Sequence, residues 1–348
     1  MTKRWDPLLF ASIFAIGAIS LLIIFSINKN LAGNQLIFWI IGASIAYFAS
    51  YVDLKTWQRL TMPLYIISLI SLTLLFFLAE PIRGSTRWVD LGLFRIQPSE
   101  IAKAATIFLI ANFYVKKSAT NIINLITSLS LILPLAVLVF LQPDIGSTLA
   151  FFGIWVGVSA VAGLKPKYIL LLGTAFLIVV IFFLELLAPY QKQRITTFLN
   201  PTQDPLGTGY NIIQSKIAIG SGGIFGKGTG QGSQSSLNFL PEAESDFIFA
   251  STGEQLGLFG AGLLLALYAT MISRLLYITK SKNRHSQLLI AAICSYFILQ
   301  FIVNVGMNLG LLPVTGITLP LVSYGGSSLI TTLFLLGVAM SLARYSRS

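Results

Sequence analysis

Charge is what this chain has least of. Of its 348 residues only 10% are Asp, Glu, Lys or Arg, against roughly a quarter in soluble domains, and 55% are hydrophobic. Its 23 basic and 12 acidic side chains could not clothe the surface of a soluble protein this size. A single cysteine, Cys294, excludes a disulfide framework and any cysteine-based metal site. A single histidine, His285, excludes the usual His/Glu zinc clusters and reads as a solvated loop residue, with Cys294 as a buried small hydrophobe. What the chain has in excess is long apolar runs, and the mean hydropathy is +0.82. The composition predicts an all-α polytopic membrane protein.

A bilayer core about 30 Å thick needs about 20 apolar residues per helix. Runs meeting that test lie at about 8–27, 35–52, 62–79, 98–115, 124–142, 145–163, 167–188, 247–279, 286–308 and 326–344, which predicts about ten transmembrane helices. They are apolar throughout, whereas barrel strands alternate. The first run follows Lys3 and Arg4 and lacks a small-x-small cleavage site, so it reads as an uncleaved span. With the N-terminus in the cytoplasm, 14 of the 23 Lys and Arg fall inside, eight outside, and Lys103 within the fourth span. Both termini are therefore expected in the cytoplasm. The net charge of +11 is that topological bias, matched to an anionic inner leaflet of membrane lipids, and calls for no nucleic acid.

No repeat and no linker divides the chain, so residues 1–348 read as a single integral membrane domain. One segment departs from the short connections: about 189–245, a large outer, extracytoplasmic loop between the seventh and eighth spans. Loops this long are usually functional or disordered. Its apolar residues (Ile212, Ile213, Ile217, Ile219, Phe225, Phe239) predict folding against the membrane surface. Within it, the glycine run from Gly220 to Gly232 fails the P-loop test, because Gly228 rather than Ser or Thr follows Lys227. What survives is either a flexible hairpin or a backbone that presents N–H groups to an anion.

The acids are few enough to weigh singly. Asp246 opens the eighth span after Glu242 and Glu244. It reads either as a first-turn acid favoured at a helix start, or as one of three carboxylates beside apolar residues. Apolar surroundings and like charge raise a carboxylate pKa and suit a general base, or a set of oxygen ligands for a divalent cation. Glu100 and Lys103 share one face of the fourth span, as an ion pair or as the head of a lipid-binding groove. Asp144, in Gln142-Pro-Asp-Ile-Gly146, reads as an N-cap or a substrate contact. Glu254, about two turns into the eighth span, is a functional candidate as an intramembrane acid. Arg83, Arg87 and Arg95 flank Trp88 in an interfacial loop, where guanidinium forks could meet phosphates. The stretch Pro313–Ser328 reads as a re-entrant wall or tight packing before the last span.

Taken together, these segments resemble the SEDS family (shape, elongation, division and sporulation proteins), which includes RodA and FtsW. The matching blocks are Gly84-Ser-Thr-Arg-Trp88, Gln97-Pro-Ser-Glu-Ile-Ala-Lys103, Gln142-Pro-Asp-Ile-Gly146, Arg194 through Pro201, and Asp204-Pro-Leu-Gly-Thr-Gly-Tyr210. They continue through Asp246-Phe-Ile-Phe249, Gly253-Glu-Gln-Leu-Gly257 and Leu319-Pro-Leu-Val-Ser-Tyr-Gly-Gly326. Asn211 to Lys216, followed by Ile219-Gly-Ser-Gly-Gly223, looks more like the cell-elongation branch typified by RodA than the division branch. Two departures stand out: Glu244-Ser245 where many relatives carry His-Thr, and Glu254-Gln255 where they often carry Glu-Glu.

The resemblance implies a peptidoglycan glycosyltransferase of the bacterial inner membrane, polymerising lipid II on its outer face. It implies a class B penicillin-binding protein as partner for transpeptidation. The family's key aspartate falls on Asp246, and its patterns also point to Glu100, Lys103 and Asp144. The expected chemistry is attack by a sugar 4-hydroxyl on the anomeric carbon of an α-linked donor, with inversion and Asp246 as general base. The leaving diphosphate needs positive charge, for which Arg87, Arg194 and Lys216 are available, with Glu242 beside the base. A divalent cation, Mg2+ or Mn2+, is the one cofactor that chemistry could call for, and no organic cofactor is expected. A lipid II flippase and a non-catalytic scaffold for a penicillin-binding protein are the alternatives.

Overall fold

The computed structural model describes residues 6–78, 87–90, 95–183, 198, 207, 209–278 and 283–345. Among them the chain is helical apart from turns and one antiparallel pair of two-residue strands, β1 (Val89–Asp90) and β2 (Arg95–Ile96). In chain order the helices are α1 (Pro7–Ile27), α2 (Lys29–Ala49), α3 (Leu54–Leu78), α4 (Pro98–Val115), α5 (Ile122–Leu141) and α6 (Ile145–Val161). They continue with α7 (Pro166–Phe183), α8 (Tyr210–Ser221), α9 (Ser233–Ser236), α10 (Ile248–Ile278), α11 (Arg284–Asn308) and α12 (Gly326–Tyr345).

The helix starts follow from local chemistry. Asp6, Asn28, Asn121, Asp144 and Asn283 each accept N–H bonds of the first turn they precede, which satisfies donors a helix leaves orphaned. Every apolar run read from the sequence falls on a helix over most of its described residues. Among the described residues, seven of these helices (α1, α2, α3, α5, α10, α11 and α12) are long and apolar enough to cross a membrane, while α6 is shorter.

α4 and α11 sit at the centre, with α11 against α4 and α6, α3 on α4, α12 along α2, and α1 along α10. Ile107, Phe108, Ile110, Leu289, Ile293 and Phe297 are all 1% exposed or less. The peripheral helices present large apolar side chains outward: Ile37, Ile40 and Phe48 on α2, Ile66, Ile70 and Phe77 on α3. Faces of that kind suit lipid and would be a liability in water.

Three sequence readings need adjusting. His285 is buried at the first turn of α11, with Nδ1 2.9 Å from Gln58 Nε2, because α3 packs over a position that the sequence places in a loop. The segment expected as a loop over 189–245 is partly helical where it is described. It carries α8 and α9, with Ile212 buried while Ile217, Phe225 and Phe239 stay exposed. Its stretches 189–197 and 199–206 lie outside the described residues. Finally, α10 is broken at Gly257, whose φ of 68° is open to glycine and costly for other residues.

Candidate active site

At one end of the bundle, the N-terminal ends of α4, α6, α10 and α12 converge on the irregular stretch 309–325, which follows α11. That stretch has little regular structure, yet its polar backbone is satisfied by protein. Ser323 Oγ accepts from the Leu319 N–H, Ser20 Oγ donates to the Val322 carbonyl, and Gln35 Nε2 donates to the Ser323 carbonyl. Tyr268 donates its hydroxyl to the Pro320 carbonyl. Irregular backbone at this depth persists only when packed against protein in this way.

Asp246 lies half-buried in the turns before α10. Its main-chain carbonyl accepts two carboxamide bonds, from Asn304 Nδ2 at 3.1 Å and Asn308 Nδ2 at 3.0 Å. The turn is tied to 309–325 on its other side: Ser323 Oγ donates to the Ser245 carbonyl at 2.6 Å, and the Tyr324 N–H to the Glu244 carbonyl at 2.8 Å. The carboxylate stands beside Gly316, where a Cβ would meet Asp246 Oδ2 at 3.6 Å. Glu242 takes the left-handed conformation, with φ of 55°, and its carboxylate accepts the Ser245 hydroxyl at 3.0 Å.

Across the same stretch sits the start of α6. A Cβ on Gly146 would come within 2.6 Å of Ile317 and 2.9 Å of the Thr315 carbonyl, so glycine lets α6 touch the wall that borders Asp246. Asp144, buried, caps α6 through the Ser147 N–H at 3.0 Å. Its other oxygen accepts from Gln97 Nε2 at 3.2 Å, and Arg87 lies 4.0 Å away while its guanidinium holds the Gln142 and Pro143 carbonyls. The N-cap reading of Asp144 thus has a geometric basis, and the same carboxylate stands beside Arg87.

Glu100 and Lys103 form a 2.6 Å ion pair on α4, each 3% exposed. The Tyr296 hydroxyl lies 3.5 Å from Glu100 Oε2, and Lys103 Nζ stands 5.7 Å from the Tyr296 ring centroid. Removing either charge would leave the other buried and unpaired, which typically costs about 3–5 kcal/mol.

Glu254 is fully buried and wholly engaged. Its two oxygens accept from Lys227 Nζ at 3.0 Å, the Gln234 and Ser235 N–H groups at 2.9 Å each, Ser233 Oγ at 3.3 Å and Ser235 Oγ at 2.8 Å. The N–H groups that hold this carboxylate come from α9, just past the glycine run; the run itself supplies Lys227 and, at Gly232, the space in which a Cβ would meet Glu254 Oε2 at 2.6 Å. The glycines also allow contact with the break in α10. A Cβ on Gly226 would stand 2.2 Å from the Gln255 carbonyl, and the Leu258 and Phe259 N–H groups donate to Gly223 and Ile224.

Of the remaining candidates, Lys216 is exposed on α8 and lies over Gly310, where a Cβ would meet its Cε at 2.1 Å. Arg194 and Arg83 lie outside the described residues. Among the described residues no three His, Cys, Asp or Glu side chains are grouped so as to hold a metal ion; Glu242, Glu244 and Asp246 share a turn without forming such a set. The sequence reading passed over Asn304 and Asn308. The signal was available: two carboxamides four residues apart inside an apolar helix, where intramembrane polar groups face partners.

Fold and site together define a helical membrane protein with an acid-bearing polar site at one end of the bundle. The profile of the family described as cell cycle protein (FtsW, RodA, SpoVE) matches residues 7–348, and the chain belongs to that family. It is 38% identical over 347 residues to the peptidoglycan glycosyltransferase MrdB of Escherichia coli K12, covering 97% of this chain and 93% of that one. It is 38% identical over 323 residues to stage V sporulation protein E of Bacillus subtilis strain 168, covering 91% and 87%. A solved structure described as structural coordination of polymerization and crosslinking by a peptidoglycan synthase complex superposes with a TM-score of 0.88 at 29% identity, over 99% of this chain and 98% of that one. The rod shape determining protein RodA of Thermus thermophilus superposes with a TM-score of 0.76 at 27% identity, over 99% and 98%.

Proposed function

We propose that the chain is a peptidoglycan glycosyltransferase that polymerises lipid II at the outer face of the bacterial inner membrane during cell elongation. In this reading it crosses the membrane about ten times with both termini in the cytoplasm, and a class B penicillin-binding protein is its partner. The glycosyltransferase activity of the MrdB relative supports the reaction class, and the synthase-complex likeness supports a crosslinking partner. The observation that carries the reading is Asp246, whose turn is fixed from two sides beside a glycine-bordered wall.

In the mechanism, Asp246 takes the proton of an acceptor sugar 4-hydroxyl as that oxygen bonds to the anomeric carbon of the lipid-linked donor. The bond to the diphosphate breaks in the same displacement, so an α-linked donor gives a β-linked product without a covalent enzyme intermediate. General-base help of this kind is worth about 10²–10⁴-fold. Positive charge for the leaving diphosphate comes from Arg87, already held at the site by Asp144 and two carbonyls, with Arg194 and Lys216 as further candidates. Among the described residues the side chains do not build an all-protein metal site. A divalent ion such as Mg2+ or Mn2+ would enter with the diphosphate, bound by its oxygens and one or two carboxylates. Glu100, Lys103 and Tyr296 form a buried polar cluster between α4 and α11.

The test is polymerisation of labelled lipid II by purified protein with its partner, wild type against Asp246→Asn. Polymer from wild type and none from the variant supports the reading. Equal polymer from both removes Asp246 as the base and turns attention to Glu242 and Glu244. Silence from both, with partner and divalent cation supplied, overturns the polymerase in favour of a flippase.

A further inference from the structure

α11 carries a file of polar side chains at four-residue spacing, Tyr296, Gln300, Asn304 and Asn308, all 0% exposed in an otherwise apolar helix. Four-residue spacing puts them on one face. At the upper end of this file, both carboxamides turn the same way. Asn304 Nδ2 donates to the Asp246 carbonyl at 3.1 Å and to the Ile317 carbonyl at 2.8 Å. Asn308 Nδ2 donates to the Asp246 carbonyl at 3.0 Å and to the Asn304 carbonyl at 2.8 Å, while its Oδ1 accepts the Ala250 N–H at 2.9 Å. Ser215 Oγ of α8 closes the set by donating to the Asn308 carbonyl at 2.7 Å.

One residue of this pair would suffice to satisfy a buried carbonyl. Two amides on the same oxygen, each anchored at a second point, do more than satisfy it. They fix the Asp246 peptide plane relative to Ile317, the neighbour of Gly316, and to Ala250, in the first turn of α10. The Asp246 carboxylate is set against that Gly316 edge. The side chain of an aspartate has only two torsions, so a fixed main chain largely fixes where its oxygens can go. We infer that Asn304 and Asn308 are positioning residues for catalysis: by clamping the Asp246 carbonyl between α11 and the 315–318 wall they hold its carboxylate in the orientation that accepts the proton. This rests on the reading of Asp246 as general base.

The two amides never touch substrate, so the inference predicts a loss in kcat with KM kept. Misplacing a reacting group by about 1 Å can cost about 10²-fold. Asn304→Leu, which keeps shape and removes both donors, and Asn308→Ala are each expected to lower kcat for lipid II polymerisation by about tenfold or more, with KM within about twofold. Because they act through Asp246, neither should lower the residual rate further in an Asp246→Asn background, where their target is already gone. Ser341→Ala serves as a control. It removes a buried hydroxyl bonded by Trp57 and bonding the Val52 carbonyl, at the opposite end of α12, and should reduce thermal stability with kcat unchanged.

Wild-type kcat in folded Asn304→Leu and Asn308→Ala protein would overturn the inference, as would a rise in KM alone or a full further loss in the Asp246→Asn background. Should Asn308→Ala fail to fold through loss of the Ala250 contact, Asn304→Leu decides the matter alone. The two readings fail differently. An active Asp246→Asn removes the base and this inference with it, whereas an inactive Asp246→Asn beside fully active amide variants removes only the positioning role.

Discussion

Two acids lie eight residues apart, Asp246 in the turn before α10 and Glu254 within it, and the molecule holds them in different ways. At Glu254 the hydrogen bonds fall on the carboxylate, which a lysine, two hydroxyls and two backbone N–H groups surround completely. At Asp246 the main chain is held: two carboxamides bind its carbonyl, with further ties on the carbonyls of Glu244 and Ser245. The first arrangement uses a charge to hold a loop to a helix. The second uses a loop and two helices to hold a residue whose carboxylate borders a glycine wall. A buried acid near a membrane is thus not one kind of feature.

Amide isosteres break the comparison most sharply. Asp246→Asn should lower polymerisation by about 10²–10⁴-fold with little change in melting temperature, read by product formation and thermal unfolding in detergent. Glu254→Gln should do the reverse. Losing the charge at the centre of five bonds should cost about 2–4 kcal/mol, seen as a lower Tm and earlier proteolysis within 222–236, while the folded fraction keeps its kcat. If Glu254→Gln abolishes turnover in fully folded protein, the distinction collapses.

Gly226→Ala sharpens the structural half. Its φ of 81° and the 2.2 Å approach to the Gln255 carbonyl predict a loss of about 2–3 kcal/mol, measurable as a Tm shift, with the loop loosened from α10. A variant as stable as wild type would mean that the loop does not dock there.

The smallest effect belongs to a third acid, far from both. Burial alone would raise the Asp6 carboxyl, but the Arg274 hydrogen bond, the Leu9 N–H and the guanidinium charge outweigh it and hold it below 3.8. A depressed folded value contributes stability that is present above the unfolded pKa and is lost as pH falls through the folded one. The Tm gap between wild type and Asp6→Asn should therefore be constant near neutrality and close below about pH 4. A gap that widened with acid would reverse the sign and refute the pairing.

The helices were legible because hydropathy reports them directly, and the misses lie where tertiary packing decides. α2 begins at Lys29 and α3 at Leu54, ahead of the apolar runs at 35 and 62, since Lys29, Asn30, Lys55, Gln58 and Arg59 form first turns too polar for a hydropathy window. The Glu100–Lys103 pair could be read from spacing within one helix. The docking of the glycine run could not, because its partner is a break at Gly257 about thirty residues on, and the carboxylate its Lys227 meets belongs to α10. His285 was misread for the same reason: Gln58, which reaches it, comes from a helix 227 residues earlier. Asp246 was visible as an acid in context, but the amides that hold it come from α11, and no local pattern links 246 to 304 and 308.

The break at Gly257 also sets a height. From 258 to 278 the helix runs for 21 residues, about 31 Å at 1.5 Å per residue, which matches the hydrocarbon thickness of a bilayer without help from the segment before it. The nine residues from 248 to 256 and the turn carrying Asp246 are then surplus to the crossing. On the proposed reading they form a short plinth, squared off by the glycine loop, that would lift the Asp246 carboxylate clear of the acyl chains to the level of a lipid's sugar headgroup.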